Sequence, residues 1–336
     1  MVALYVTSLD RGSGKTTVCA GLGRHLLSDG KKVGYFKPII TENRISVTED
    51  VDSDTVFMKH LFGLEEPVDL LCPVFSDESS LRDKIEEAYT KVSPDKDVVI
   101  VEGVSDWSRA SRDVVEALNA KVIVVAGYSK ELLKATNGCK DYGEHLLGVV
   151  FNKMPRSRLE QTLAEISARF GQAGVNILGI LPEDRTLFSL TIGELTEHIQ
   201  GKTLSRAEKS AELVENFMMG AMPVDSGLEY FGRKDNKVVV VRSERPDMQL
   251  AALETSTKCL VLAGNTVPMT VVLRRAEEKA VPIILASDDI TTIAANIEAA
   301  LSKIRFNQEN KLPKLIEIMQ QHFGFQMVYK GLGLIS

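Results

Sequence analysis

The chain has 336 residues with a formal net charge of −6, and 44% of the residues are hydrophobic while 26% are charged. This length favours two domains over one small core, and the acidic balance argues against a general nucleic-acid binder, which usually has a basic face. The four scattered cysteines form no zinc or disulfide pattern, which favours a reducing cytoplasm. No apolar run is long enough to cross a bilayer. The first residues are predicted to form a strand, so we expect no signal peptide.

The first part of the chain alternates Val- and Ile-rich runs with amphipathic segments. Near-continuous apolar runs are typical of strands buried on both faces of a parallel sheet. The pattern therefore predicts an α/β fold, a doubly wound and mostly parallel sheet covered by helices. The predicted strands are Leu4–Thr7, Val33–Phe36, Val98–Val101, Val122–Val125, Leu147–Phe151 and Ile177–Leu181. The predicted helices are Lys15–Leu27, Leu81–Val92, Ser111–Leu118 and Arg158–Phe170.

A mostly polar stretch, roughly Thr186 to Asp235, is interpreted as a connector with a helical segment near Ser205–Met219. A second, smaller alternation of predicted strands and helices follows, and its sequence contains no phosphate-binding loop motif. Its predicted strands are Val238–Val241, Cys259–Ala263 and Ile283–Ala286, and its predicted helices are Met248–Ser256, Met269–Lys279, Thr291–Ile304 and Leu312–Phe323. We therefore predict a first domain over residues 1–204 and a second domain over residues 205–336.

A glycine-containing turn joins the first predicted strand to the first predicted helix. It consists of Asp10, Arg11, Gly12, Ser13, Gly14, Lys15, Thr16 and Thr17, and apart from Arg11 we predict that all of them contribute to nucleotide binding. In such a turn, backbone N–H groups surround the phosphates and the helix N-terminus adds partial positive charge. Lys15 is predicted to reach the β- and γ-phosphates, and the Thr16 hydroxyl to bind Mg²⁺. The general motif has a glycine where this chain has Leu9, so an ordinary turn with an exposed lysine is the alternative.

Charged residues also follow two other predicted strands, and ligands of open α/β sheets bind at the carboxyl ends of the strands. Lys37 follows the second strand, with Thr41 four residues beyond, and Glu102 ends the third strand. Lys37 is predicted to face the γ-phosphate, the alternative being a surface lysine before a proline. Glu102 is predicted to hold Mg²⁺, the alternative being a solvated strand end.

An acidic cluster precedes a predicted helix in the segment Asp50-Val51-Asp52-Ser53-Asp54. Mg²⁺ is usually held by one or two carboxylates together with phosphate oxygens and water. We therefore predict that this cluster supplies a metal ligand beside Thr16 and Glu102, and the family resemblance described next implies that this ligand is Asp54. The alternative is that the cluster caps the helix, since Asp and Ser are common N-cap residues.

These motifs, in their order and spacing, resemble dethiobiotin synthetase over about residues 1–200. The matching residues are Thr7-x-x-Asp10, Gly14-Lys15-Thr16, Phe36-Lys37-Pro38 with Thr41, Asp54 and Val101-Glu102-Gly103. The resemblance implies a homodimer whose Mg-ATP site phosphorylates a carbamate, with Lys15, Lys37 and Thr41 as catalytic residues. It also implies that Asn152 reads adenine and that Pro182 lies near the nucleotide. Where the family continues with Ala-Gly-Gly, this chain has Val104-Ser105-Asp106-Trp107, so nucleotide binding is better supported than the original substrate.

The second predicted unit resembles the DRTGG domain, a module of poorly defined role. The matching stretches are Arg242–Asp247, where Glu replaces an Asp of the motif, and Leu262–Asn265, where Ala-Gly-Asn replaces Thr-Gly-Gly. This pair of domains is similar to the N-terminal regulatory part of long bacterial phosphate acetyltransferases. Because the sequence stops at Ser336, we expect no acetyltransferase catalytic domain in it.

Two functions remain open from the sequence. The altered substrate loop and the appended domain favour a nucleotide-responsive regulatory or sensory protein. The retained Lys37 and acidic residues favour an ATP-dependent ligase or cyclase that phosphorylates a carbamate or carboxylate of a small metabolite. A cobyrinate-type amide synthase has weaker support, since no Cys–His pairing indicates a glutaminase. In each case the expected partners are a nucleotide, a small metabolite and a second copy of the chain, with neither nucleic acid nor membrane.

Overall fold

A computed structural model describes residues 1–8, 10, 12–40, 52–75, 80–103, 109–128, 135–220 and 227–334. The chain forms two compact units, the first comprising Met1–Asp184 and Phe306–Ser336 and the second Arg185–Arg305. This division differs from the predicted one at residue 204. The second unit begins earlier, and the chain returns to the first unit after Arg305.

The first unit is an α/β unit around a six-stranded sheet with the order β2-β5-β1-β6-β7-β8, in which all neighbours are parallel. Its strands are β1 (Val2–Ser8), β2 (Val33–Phe36), β3 (Ile39–Ile40), β4 (Val74–Phe75), β5 (Val98–Glu102), β6 (Lys121–Gly127), β7 (Leu146–Met154) and β8 (Ile177–Pro182). Its helices are α1 (Lys15–Ser28), α2 (Ser53–Phe62), α3 (Val68–Leu71), α4 (Leu81–Val92), α5 (Arg109–Ala117), α6 (Ala135–Lys140), α7 (Leu159–Gln172), α13 (Leu312–His322) and α14 (Phe325–Gly331). Strands β3 and β4 form a separate parallel pair.

The register of this sheet brings three strand ends to one edge. Val6 of β1 pairs with Glu102 of β5, and Phe36 of β2 pairs with Val101. Because the strands are parallel, the loop after β1, the residue after β2 and the last residue of β5 all lie at the carboxyl edge. The predicted α/β class and mostly parallel sheet are confirmed.

The return of the chain to the first unit has a packing reason. Helix α13 lies against α1, where a Cβ atom at Gly21 would be 2.0 Å from the sulfur of Met319. Beyond α13, the N–H of Gly324 donates to the Leu178 carbonyl at 2.6 Å, and the Tyr329 hydroxyl donates to Asp29 at 2.7 Å. The segment after Arg305 therefore completes the surface of α1 and β8.

The second unit contains a five-stranded sheet with the order β10-β15-β14-β13-β12, in which only β10 is antiparallel to its neighbour. Its strands are β9 (Leu190–Thr191), β10 (Lys202–Ser205), β11 (Leu213–Val214), β12 (Asn216–Gly220), β13 (Lys237–Arg242), β14 (Thr257–Ala263) and β15 (Ile283–Ala286). Its helices are α8 (Ile192–His198), α9 (Gly227–Phe231), α10 (Pro246–Leu253), α11 (Thr270–Glu278) and α12 (Ile290–Ser302).

The central strand β13 is buried on both faces of this sheet. Val238 and Val240 pack in a core with residues of α8 and α12, whereas Val239 and Val241 pack in a second core with residues of α10 and α11. Helices therefore cover both sides of the sheet, which explains the near-continuous valine run.

The predicted helix near 205–219 and the predicted connector over 186–235 are wrong. The described residues of this stretch form β9 to β12 and helices α8 and α9 of the second unit. The apolar run Phe217–Met219 pairs in parallel with β13, and this pairing outweighs the local preference of the surrounding charged residues for a helix. Within the described part of the chain, no helix is both long and apolar enough to span a membrane.

Candidate nucleotide-binding site

The loop between β1 and α1 turns through two glycines in the left-handed backbone region. Gly12 has φ +77° and Gly14 has φ +93°, values that L side chains rarely adopt. The hydroxyls of Ser8 and Ser13 both donate to the Asp10 carbonyl at 2.9 Å. The first N–H groups of a helix have no intrahelical acceptor, so this turn and α1 form a site that favours an anion.

Asn152, near the end of β7, packs directly against this loop. Its Nδ2 donates to the Ser13 carbonyl at 2.9 Å, and its Oδ1 accepts from the N–H of Lys153 at 2.9 Å. A Cβ atom at Gly14 would lie 2.2 Å from Asn152 Nδ2. Glycine is therefore required at position 14 both by its φ and by Asn152. The contact of Asn152 with adenine stays a prediction.

Lys15 is the first residue of α1, and its Nζ donates to Ser8 Oγ at 3.2 Å. Burial lowers the pKa of Lys15, and the charge of Glu102 offsets part of this effect. A phosphate beside Lys15 would favour the charged ammonium further. The lysine is thus placed in a site that a polyanion would complete.

Glu102 lies at the centre of the site and is 3% exposed. Its Oε1 accepts from the Thr16 hydroxyl at 2.7 Å, and its Oε2 accepts from the hydroxyl of Tyr35 on β2 at 2.9 Å. Burial raises the pKa of Glu102, although Lys37, Thr16 and Tyr35 favour its ionised form. The two hydrogen bonds fix the carboxylate beside the first turn of α1.

Lys37 follows β2 and lies between two carboxylates. Its Nζ contacts Asp52 Oδ2 at 2.8 Å and Asp54 Oδ2 at 3.0 Å. Burial by itself lowers the pKa of Lys37, but the charges of Glu102, Asp54 and Asp52 outweigh burial and raise it. Asp52 also caps helix α2, since its side chain accepts from the N–H of Thr55 at 2.9 Å. The capping alternative therefore holds for Asp52, while Asp54 faces the site.

We expect Lys37→Ala to destabilise the folded protein by about 1–3 kcal/mol at neutral pH, because two largely buried carboxylates lose their cation. Burial raises the pKa of Asp52, but the hydrogen bond and charge of Lys37 outweigh burial and lower it. The stability that this pair contributes is therefore present above the ordinary Asp pKa and is lost as pH falls through the folded-state value.

Urea unfolding at neutral and at acidic pH tests this expectation. The difference between wild type and Lys37→Ala should be largest at neutral pH and should shrink on acidification. Lys32→Ala, which replaces an exposed lysine of the same unit, is the control. Equal stability of wild type and Lys37→Ala at neutral pH would contradict the pairing.

The donor set of the site fits Mg²⁺. The Thr16 hydroxyl and the Glu102 carboxylate are adjacent oxygen donors, and oxygen is the ligand type that this cation prefers. The described residues contain no group of three or more His, Cys, Asp or Glu side chains suited to a metal ion. A cation here would therefore need oxygens from a bound ligand, as is usual for Mg²⁺ with phosphates.

The remaining predicted residues are placed as follows. Asp10 is exposed and contributes its carbonyl to the loop, whereas Thr17 is buried in α1. Pro182 is buried at the end of β8, opposite Met154 of β7. Thr41 lies outside the described residues, as do residues 104–107, which replace the small residues of the dethiobiotin synthetase pattern.

Two contributors to the site escaped the sequence analysis, Tyr35 and Lys153. Tyr35 is fully buried, and burial raises the pKa of its hydroxyl well above the ordinary value. Lys153 donates from Nζ to the carbonyl of Gly12 at 2.6 Å. Only their positions in the sequence could have indicated these two residues, since Tyr35 lies two residues before Lys37 and Lys153 directly follows Asn152.

The family models match both parts of the chain. A model described as an AAA domain matches residues 2–189, and a model described as a DRTGG domain matches residues 194–300. Among solved structures, the MinC:MinD cell division protein complex of Aquifex aeolicus aligns with 56% of this chain and 84% of that chain, at 17% identity and a TM-score of 0.40.

Curated relatives match different shares of the chain. The chain is 22% identical to a phosphate acetyltransferase of Nitrosomonas europaea, over 99% of this chain and 52% of that protein. It is 26% identical to an ATP-dependent dethiobiotin synthetase of Methanocaldococcus jannaschii, over 44% of this chain and 78% of that protein. The chain thus spans about half the length of the phosphate acetyltransferases that it matches. Through residues 2–189 the chain belongs to the AAA domain family, with a dethiobiotin synthetase-like phosphate loop, and it carries a DRTGG domain over residues 194–300.

Proposed function

We propose that the first unit binds Mg-ATP and that the chain is a nucleotide-responsive regulatory protein. The observation that carries the proposal is the hydrogen bond between the Thr16 hydroxyl and the Glu102 carboxylate. Thr16 directly follows Lys15, at a helix N-terminus that is preceded by two left-handed glycines. The regulatory role is supported by the replacement of the family's small residues by Val104-Ser105-Asp106-Trp107 and by the presence of the DRTGG domain.

In this proposal each residue has a distinct task. The N–H groups of the loop and the Lys15 ammonium hold the β- and γ-phosphates. Thr16, Glu102 and Asp54 contribute oxygens to the metal, and Tyr35 keeps the Glu102 carboxylate oriented. Bound Mg²⁺ would supply charge neutralisation on the phosphate oxygens. ATP as the nucleotide is part of the proposal and follows from the dethiobiotin synthetase resemblance.

Calorimetric titration of ATP with and without Mg²⁺ tests the site. Mg²⁺ should strengthen ATP binding by wild type about tenfold or more, and Glu102→Gln should lose this enhancement because it removes one of the few anionic ligands. Burial raises the pKa of Glu102, and protons compete with Mg²⁺ for this carboxylate, so the wild-type enhancement should decline on acidification at a higher pH than an ordinary Glu would allow. Equal Mg²⁺ enhancement in Glu102→Gln would rule out Glu102 as a metal residue.

The second candidate function is an ATP-dependent ligase, and the position of Lys37 favours it. Lys37 lies at the same strand edge as the phosphate loop, and its charge interacts with Glu102. A cation in this position could neutralise charge that develops on a transferred phosphoryl group while a carbamate or carboxylate attacks in line. The two carboxylates that hold Lys37 would then have to release it.

Phosphate release from Mg-ATP separates the two functions. Wild type and Lys37→Ala are compared alone and with diaminopelargonate plus bicarbonate, at a temperature where both are folded. The regulatory proposal expects tight ATP binding without stimulation of phosphate release. Strong stimulation that disappears in Lys37→Ala would instead establish a carbamate-phosphorylating enzyme.

A further inference from the structure

We propose that Asn152 and Lys153 are positioning residues that hold the phosphate loop in its anion-binding conformation. We call this pair the β7 clasp. The inference rests on the proposed nucleotide site and assigns the element that keeps its loop in shape. The clasp acts from the carboxyl end of β7, on the side of the loop that the backbone carbonyls face.

The β7 clasp binds two successive carbonyls of the loop. Lys153 Nζ donates to the Gly12 carbonyl at 2.6 Å, and Asn152 Nδ2 donates to the Ser13 carbonyl at 2.9 Å. In a trans peptide the C=O of one residue and the N–H of the next point in opposite directions across one plane. Fixing these two carbonyls therefore turns the N–H groups of Ser13 and Gly14 to the opposite side, where a phosphate would accept from them.

The backbone of β7 is distorted where the clasp lies. Successive residues of a regular strand point to opposite faces of the sheet, so two neighbours would not ordinarily reach one loop. Here Lys153 has φ +59°, and the pairing of β7 with β8 shifts register between Phe151 and Met154. A non-glycine residue keeps a left-handed conformation only where its surroundings hold it there. The distortion brings both side chains to the same loop.

The orientation of the Asn152 amide is fixed by its two neighbours. Asn152 is 5% exposed, and its Nδ2 faces a carbonyl while its Oδ1 faces the N–H of Lys153. A rotated amide would place oxygen against oxygen and N–H against N–H. The side chain therefore has a defined role at the loop whether or not it also contacts a base.

Inorganic tripolyphosphate distinguishes a role at the loop from a role at the base, because it has phosphates and no base. The variants are Asn152→Ala, Lys153→Met and Lys153→Gly, with Lys32→Met as the control at an exposed lysine. Lys153→Gly accepts the left-handed backbone without strain, so it removes the loop contact while keeping the turn. Affinities for ATP and tripolyphosphate are measured by calorimetry with Mg²⁺. Amide hydrogen exchange of residues 12–17 is measured without ligand.

The clasp predicts that all three variants weaken ATP and tripolyphosphate binding by similar factors, about tenfold or more, since each loses a charged or buried hydrogen bond to the loop. It also predicts faster exchange at residues 12–17 in the ligand-free variants, with Lys32→Met unchanged. Weaker ATP binding with unchanged tripolyphosphate binding would overturn the clasp and assign the pair to the base. Unchanged loop exchange would overturn it as well. Failure of wild type to bind either ligand would refute the proposed function, and the exchange data would still decide the clasp.

Discussion

Lys15→Ala is expected to weaken Mg-ATP binding by at least about 100-fold, which corresponds to about 2.7 kcal/mol. Hydrogen bonds to charged groups contribute about 1.5–3 kcal/mol each, and the Lys15 ammonium is proposed to contact two phosphates. The measurement is calorimetric titration of ATP at constant Mg²⁺. An unchanged affinity would refute the phosphate-loop assignment.

The stability of Lys15→Ala separates loss of binding from loss of fold. Burial lowers the pKa of Lys15, which means that the folded protein without ligand disfavours the charged ammonium. Removing this lysine should therefore leave the melting temperature of the ligand-free protein equal to wild type or higher. Lys32→Ala, at an exposed position of the same unit, should change neither quantity.

Gly14→Ala is expected to reduce stability by about 2–4 kcal/mol and to abolish nucleotide binding. The φ of +93° costs about 1–3 kcal/mol for a residue with a side chain. The new Cβ atom, 2.2 Å from Asn152 Nδ2, would also displace this amide from the Ser13 carbonyl and so cost about 1 kcal/mol more. Urea unfolding and ATP titration measure the two effects.

Gly12→Ala is the matched control for this prediction. Gly12 has a similar φ of +77°, but no heavy atom of the described residues beyond its chain neighbours lies within 4 Å of its ideal Cβ position. Gly12→Ala should therefore lose only the backbone contribution, and Gly14→Ala should be the more damaging of the two. Adding Asn152→Ala to Gly14→Ala should recover part of the stability. An equal loss of stability in Gly12→Ala and Gly14→Ala would show that the Asn152 contact contributes nothing to the free energy of unfolding.

The parallel sheet of the first unit could be predicted because its strands are buried on both faces. Strand β5 is entirely buried, so Val98–Val101 appears in the sequence as an uninterrupted apolar run. The stretch 205–219 could not be predicted in this way. Its short strands depend on pairing with other strands, β11 with β9 and β12 with β13, and the sequence of the stretch itself does not encode these pairings.

The candidate site could be predicted from the sequence where its residues lie at the carboxyl ends of strands. Lys37 and Glu102 each lie at a carboxyl strand end, so a parallel sheet by itself brings them to the phosphate loop. Tyr35 and Lys153 depend on features that residue type does not encode. Tyr35 reaches Glu102 through the register between β2 and β5, and Lys153 reaches the loop through a left-handed residue in a distorted strand.

The return of the chain to its first unit determines the order in which the two units can be completed during synthesis. The second unit is continuous from Arg185 to Arg305, so all of its residues are available before Phe306 is made. The first unit must wait for α13 and α14, and its Tyr329–Asp29 contact closes a sequence separation of 300 residues. Domains generally fold as units while the chain emerges, and non-local contacts slow folding. In a growing chain we therefore expect the second unit, Arg185–Arg305, to complete its folding before the first. Until α13 has been made, the α1 surface around Gly21 stays open to chaperones.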